Sequence, residues 1–225
     1  LHFFQKGYLE SKNTFDYKSL RMESIYPGAM IHYNNNFHLI TNPLRNLGDI
    51  FSMAFIPFMN FKDKMKLASM LTFLMASSDD QLKKFHSITT KDYLISRGFS
   101  DKLIETLFRP LCNAIYFDPS LETSAYLFTS MMKNFAFEES ALPAHGIGSI
   151  AVQLGEKLEE NTVHFHSKVK KIFDDGVELA SGEVIHAKKV IVTIPPQEAE
   201  KIFPERKCEV EYLPYTCLYF STKTP

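Results

Sequence analysis

Apolar and polar positions alternate along two short runs, Met30 to Tyr33 and Phe37 to Ile40, on either side of Asn34-Asn35-Asn36. Asparagine tolerates the left-handed backbone that tight turns require, so the pattern predicts a hairpin. Beyond it the spacing changes from two to three and four. Asn42-Pro43 sets a capping residue before a proline at the first helical position, which opens a helix running to Phe55, ahead of Pro57. Lys62 to Ala76 predicts a second helix, with Met65, Ala68, Leu71 and Met75 on one face. Shorter helices follow. Thr90 caps Lys91 to Ser96, with Gly98 as the stop. Ser100 caps a helix from Asp101 to about Asn113, with Asp101 and Glu105 near its positive end. Thr123 or Ser124 caps another that runs to Phe137.

The pattern changes character at Ser140. Ile147 to Glu160 reads as an amphipathic helix burying Ile150, Leu154 and Leu158, after which the period drops to two. Val163 to His166, Val169 to Phe173, Val177 to Leu179 and Val184 to His186 read as strands, the later ones joined at Asp174-Asp175-Gly176 and Ser181-Gly182. Lys189 to Ile194 is a continuous β-branched run, the mark of a parallel strand buried on both faces, and it stops at Pro195-Pro196. The order divides the chain into a mostly helical stretch over 1–145, a mixed stretch over 146–210, and the start of a further strand over 211–225. No internal repeat or low-complexity linker interrupts it.

Composition narrows the function classes. The 225 residues carry a formal net charge of -1, spread along the chain without the basic stripe of a nucleic-acid binder. No run is long and apolar enough to cross a membrane, while peripheral membrane contact stays open. Cys112, Cys208 and Cys217 are odd in number and show no CxxC spacing, which fits a reducing, cytoplasmic setting. The chain opens at Leu1 and closes at Pro225 directly after the apolar run Cys217 to Phe220, and both ends read as cuts.

The aromatic payload is large: 20 Phe and 10 Tyr, with no Trp. Much of it falls on two consecutive helices, at Phe108, Tyr116, Phe117, Tyr126, Phe128, Phe135 and Phe137, joined by Met131 and Met132. Two readings compete, a core built from phenylalanine and an apolar ligand cavity between helices. On the second reading Phe108, Phe128, Met132 and Phe135 touch substrate.

Other motifs carry less. Gly146-Ile147-Gly148-Ser149-Ile150-Ala151 matches a dinucleotide fingerprint, but no buried strand is expected before it and no acid closes the next strand, which ends His166-Ser167-Lys168. A tight turn into a packed helix explains both glycines, and a nicotinamide enzyme is the third-ranked reading. His164 and His166, two apart on an expected strand, lack a cysteine or carboxylate at matching spacing, so no metal is expected. Glu122, Glu138, Glu139 and His145 show no catalytic spacing, and the chain has neither GxSxG nor HExxH. No catalytic residue can be assigned.

In order along the chain, Ser96-Arg97-Gly98-Phe99-Ser100, Phe108-Arg109-Pro110-Leu111, Leu121-Glu122-Thr123-Ser124 and Ala141-Leu142-Pro143-Ala144-His145-Gly146-Ile147-Gly148 are followed by Val163 to Ile172 and Gly182 to Pro195. That ordered set resembles the flavin-containing amine oxidase and phytoene desaturase superfamily. Pro27-Gly28-Ala29, Asn42-Pro43-Leu44-Arg45 and Asp63-Lys64-Met65-Lys66-Leu67 match it more loosely. The resemblance implies an α/β protein, α+β over this stretch. A mostly helical substrate domain over 1–145 would join part of a Rossmann-like FAD-binding domain of the glutathione-reductase type over 146–210. It implies FAD, with the backbone at Val169 against the adenine and Thr193, Ile194 and Pro195 close to the cofactor. It also implies oxidation by hydride transfer to flavin, chemistry that belongs largely to the cofactor. The family's N-terminal fingerprint and C-terminal Gly-Asp segment are not in these residues, so the stretch is expected to touch FAD without holding it. The alternative is a non-catalytic helical module that binds an apolar ligand or a protein partner.

Overall fold

The computed structural model describes residues 4–26, 28–41, 55–205, 207, 216–218 and 220–221. The chain folds as two compact units, Leu1–Lys157 and Leu158–Pro225. The boundary lies twelve residues beyond the 145/146 division that the pattern suggested, because the helix after Gly146 is tied into the first unit. Gln153 Oε1 accepts from Asp16 N–H at 3.0 Å and its amide donates to Ser19 Oγ at 2.6 Å. Lys157 Nζ donates to the Thr14 carbonyl.

The first unit opens with β1 (Phe4–Gln5), α1 (Leu9–Thr14) and β2 (Met22–Ser24). Both strands pair antiparallel with β5 (Ser140–Pro143), which lies between them and buries Ala141 completely. This central strand was not expected, since its acids upstream and Pro143 mask the alternation. β3 (Gly28–Tyr33) and β4 (Asn36–Thr41) form the expected hairpin, paired from Gly28↔Thr41 to Tyr33↔Asn36. Asn34 and Asn35 hold φ of 50° and 59°, the two left-handed residues that a tight primed turn needs. The helix expected from Asn42 falls on 42–54, outside the described residues.

α2 (Phe61–Ala76) starts at Asn60, whose side chain accepts from Asp63 N–H at 2.8 Å. Its existence matches the sequence pattern and its rotation does not. Met70 and Leu74 are buried with Leu67 packed beside them, while Met65, Ala68 and Met75 face outward. Both rows have three-and-four spacing. The row that turns inward also carries Asp63, which is locked to Ser100 by bonds from its N–H (2.9 Å) and hydroxyl (2.6 Å).

α3 (Asp79–Lys83) carries a capping box between Ser78 and Gln81. α4 (Thr90–Ser96) is capped by Thr89, one residue earlier than expected, because Thr90 is buried and donates its hydroxyl to the Thr123 carbonyl at 2.7 Å. α5 (Asp101–Leu103), capped by Ser100 as expected, continues through a π-helical turn (Ile104–Phe108) into α6 (Arg109–Tyr116). Pro110 accounts for the turn: its ring crowds the preceding turn and it has no N–H to give. Arg109 N–H reaches back five residues to the Ile104 carbonyl, so the helix bulges where it would otherwise break. α7 (Ala125–Phe137) begins at Ser124, whose hydroxyl accepts from Tyr126 N–H. α8 (Gly148–Gly155) is shorter than the expected Ile147–Glu160 and buries no residue fully, and Leu158 is exposed.

α7 packs against α2, α3 and α4. Edge-to-face and tilted rings run through this core in series. Phe73–Phe85, Phe85–Tyr93, Tyr93–Phe128, Phe128–Phe108 and Phe108–Phe99 have centroid separations of 6.1, 5.2, 6.1, 5.6 and 5.1 Å. Such pairs add about 0.5–1.5 kcal/mol each beyond area burial.

In the second unit β6 (Val169–Phe173), β7 (Gly176–Leu179) and β8 (Val184–His186) make an antiparallel meander within a residue of the expected limits. A Cβ on Gly176 would run into the Ile185 carbonyl, so glycine alone lets β7 and β8 close here. α9 (Pro196–Ile202) packs on β6. Two expected strands do not form among the described residues. Val163 to His166 is irregular, with Asn161 and His166 at positive φ. Lys189 to Ile194 has no partner strand, and Ile191 is 85% exposed. A β-branched run becomes a strand only where a neighbour offers its own N–H and C=O groups. Cys217, Leu218 and Phe220 are exposed and irregular, and most of 211–225 lies outside the described residues.

Candidate functional site

The aromatic helices divide into a core and a flank. Phe108 and Phe128 have no exposed surface and pack on each other, so their area is already used within the core. Met132 and Phe135, one and two turns beyond Phe128 along α7, are half-buried against that core. The core reading holds for Phe108 and Phe128, while Met132 and Phe135 keep part of their surface exposed. α7 carries a single charged residue, Lys133, whose amine donates to the Ser77 carbonyl. Tyr116 of α6 donates its hydroxyl to the Leu127 carbonyl at 3.0 Å, and burial pushes its pKa up to about 12. Burial likewise pushes the Cys112 thiol up to about 12, leaving it protonated and non-nucleophilic. Arg109 is held by Glu105 through two bonds of 2.6 and 2.7 Å. A second phenol, Tyr126 on α7, donates to Asp79 at 3.0 Å.

The residues expected near a cofactor all lie in the second unit. Val169 opens β6 opposite Leu179, half-buried, with a bulge between it and Lys171. Thr193, Ile194 and Pro195 are exposed on the extended segment that leads into α9, and α9 lies on β6. The side chains of this segment are open to solvent. It offers little to a pyrophosphate. Pro196 brings no N–H to the first position of α9, and the N–H groups of Glu198 and Ala199 both return to the Pro195 carbonyl. With those two N–H groups turned back on Pro195, they are closed to the phosphates of a flavin dinucleotide.

The glycine turn at 146–148 is a turn and not a phosphate cradle. A strand, β5, does precede it, but β5 is antiparallel to both neighbours. Gly146 takes φ 84°, and Ser149 N–H and Ile150 N–H bond back to the carbonyls of Gly146 and Ile147. No cluster of three metal-binding side chains occurs among the described residues, and His164 and His166 do not share a strand.

Two organising residues escaped sequence reasoning. Asp63 reads as an ordinary first-turn acid, and only its bonds to Ser100 reveal a clamp between α2 and α5. Lys133 reads as solvent-facing charge, yet it closes the carbonyl end of α2. No local signal distinguishes either.

Compared with known proteins, the chain matches a family model described as flavin containing amine oxidoreductase over residues 7–225. No curated protein matches it.

Proposed function

We propose, for a chain that belongs to the flavin containing amine oxidoreductases, that it oxidises a largely apolar substrate, of the desaturase or hydrophobic-amine kind, with FAD as the hydride acceptor. Bound FAD would supply the electron sink for that oxidation. The first unit is read as substrate domain and the second as part of a Rossmann-like cofactor domain.

The observation that carries the substrate reading is the make-up of α7. Thirteen residues from Ala125 to Phe137 hold one charge, and that charge is tied to a backbone carbonyl. A polar substrate needs convergent charged or amide groups to replace its water, and this helix has few, with Asn134 its one side-chain amide. Met132 and Phe135 are assigned to substrate contact, with Phe108 and Phe128 as the rigid packing behind them. Methionine adapts to an irregular ligand, and phenylalanine offers area without needing a hydrogen-bond partner. About 200 Å² of ligand surface buried there is worth roughly 5 kcal/mol before ordering costs. In the second unit, Val169 and the Thr193–Ile194–Pro195 segment are assigned to orienting the flavin dinucleotide.

The test is anaerobic flavin reduction in the reconstituted full-length flavoprotein with a panel of ligands. Polyenes, terpenoids or hydrophobic amines are expected to bleach the flavin. Reduction by a small polar amino acid and by no apolar compound overturns the substrate class.

A further inference from the structure

The series of rings in the first unit is flanked by a guanidinium. Arg97, the residue that follows α4, sets its central carbon 4.8 Å from the Phe73 ring centroid and 5.1 Å from that of Tyr93. The side chain is half-buried, yet it completes no hydrogen bond or ion pair among the described residues. Aromatic rings beside a guanidinium fix its plane and leave its N–H groups to donate from the edge.

A second donor lies beside it. Tyr93 is 2% exposed, and its buried hydroxyl has no hydrogen-bond partner. A hydroxyl withdrawn from water in this way is costly, and native interiors keep few of them. Burial pushes the Tyr93 pKa up, and the Arg97 charge draws it part of the way back, so the two groups sit within electrostatic reach of each other. Lys66, two turns before Phe73 on α2, donates one N–H to the carbonyl of Gly98, the residue after Arg97. Its ammonium has two more to give. The acids on this stretch of chain are Asp92 and Asp101, both exposed, and neither pairs with Arg97. Asp63 is buried and already occupied by Ser100.

We propose that Arg97 and Tyr93 bind the carboxylate of a small organic acid, the guanidinium through its planar fork and the phenol through its O–H, with Lys66 adding positive charge at the rim. A fork of parallel N–H groups matches the two oxygens of a carboxylate. A monoanion asks for no more charge than these groups supply, whereas a phosphate dianion meets stronger repulsion from Asp92 and Asp101. The inference is independent of the substrate and flavin reading, and its readouts need no flavin.

The test uses the full chain with sodium acetate, set against inorganic phosphate and sodium chloride at matched ionic strength. Acetate is expected to move the Arg97 Nε–H cross-peak of a nitrogen–proton correlation spectrum, the peak being identified by its loss in Arg97→Lys. At ten times its Kd, acetate should raise Tm by about 3–6 °C. Arg97→Gln should abolish that rise. Tyr93→Phe removes only an oxygen that lacks a partner, so its Tm without acetate should match or exceed that of the parent, while its acetate affinity falls about tenfold. Circular dichroism checks both folds, and Tyr93→Phe decides the matter where Arg97→Gln does not fold. A cross-peak and a Tm that answer acetate no more than chloride overturn the proposal. So does an acetate affinity that Tyr93→Phe leaves unchanged. Tighter binding of phosphate than of acetate overturns the carboxylate assignment.

Discussion

A carboxylate withdrawn from water is tolerable only when its lone pairs are met, and buried Asp63 and half-buried Asp118 show what that requires. Asp63 is 1% exposed and accepts from the N–H and hydroxyl of Ser100, joining the start of α2 to the start of α5. Asp63→Ala would strand the Ser100 N–H and release both helix starts. It is expected to lower unfolding free energy by about 1–3 kcal/mol, read from urea melts. Asp118 holds the loop ahead of α7, accepting from Thr123 N–H and hydroxyl at 2.6 Å each and from Ser120 N–H at 3.0 Å. Burial pushes its carboxyl up, but the bonds from Thr123 and Ser120 outweigh burial and hold it below the usual carboxylate range. A depressed folded-state pKa stabilises the fold above the unfolded value, near pH 4, and that contribution fades as pH falls through the folded value. Asp118→Asn should therefore melt lower than the parent chain at pH 7. The two melting curves should converge in acid as pH falls through the folded value. A gap of constant size across that range would show that the ionised carboxylate is not what holds the loop.

At the scale of elements, the distinction between core and substrate wall can be measured on one helix. Phe128 is fully buried between Tyr93 and Phe108, so Phe128→Ala is expected to cost about 3–5 kcal/mol of stability. Met132, one turn on and half-buried, should cost less than about 2 kcal/mol as Met132→Ala. In the full-length flavoprotein the same change should raise KM for an apolar substrate. Equal losses of stability with no change in KM would return Met132 to the core. The sequence was informative where local chemistry decides. Asn34-Asn35 gave the hairpin turn, Ser100 and Ser124 the caps, and Asp174-Asp175-Gly176 the meander turn, each because one residue type satisfies a backbone demand by itself. It failed where a choice between neighbours decides. The rotation of α2 depended on which of two equivalent apolar rows met α7, and β5 on two strands more than a hundred residues upstream. The Lys189 to Ile194 run finds no partner strand among the described residues and stays irregular. The site followed the same rule. The apolar make-up of α7 is legible in its residues, whereas the burial that removes Phe108 and Phe128 from any ligand is a property of packing.

For the molecule as a whole, flavin affinity should follow from which parts of the dinucleotide the chain can satisfy. Dinucleotide sites commonly set the pyrophosphate on free N–H groups at a helix N-terminus, where backbone donors and the helix dipole favour negative charge. Among the described residues the two nearest equivalents already use several of their N–H groups within the chain. At the 146–148 turn the N–H groups of Gly146, Ser149 and Ile150 are bonded to the carbonyls of Pro143, Gly146 and Ile147, and α9 opens on a proline with the Glu198 and Ala199 N–H groups folded back to Pro195. What remains is apolar contact at Val169 and along Thr193, Ile194 and Pro195. If a ring system buried roughly 150–200 Å² there, the gain would be about 4–5 kcal/mol before any ordering cost, which corresponds to a Kd near the millimolar range. Desalting removes a ligand held that weakly. The 225-residue chain is therefore expected to emerge from gel filtration colourless, even after incubation with excess FAD. The measurement is the visible absorbance of the desalted chain, scaled to protein. A retained yellow chromophore near one per chain would show that the phosphates find donors here after all.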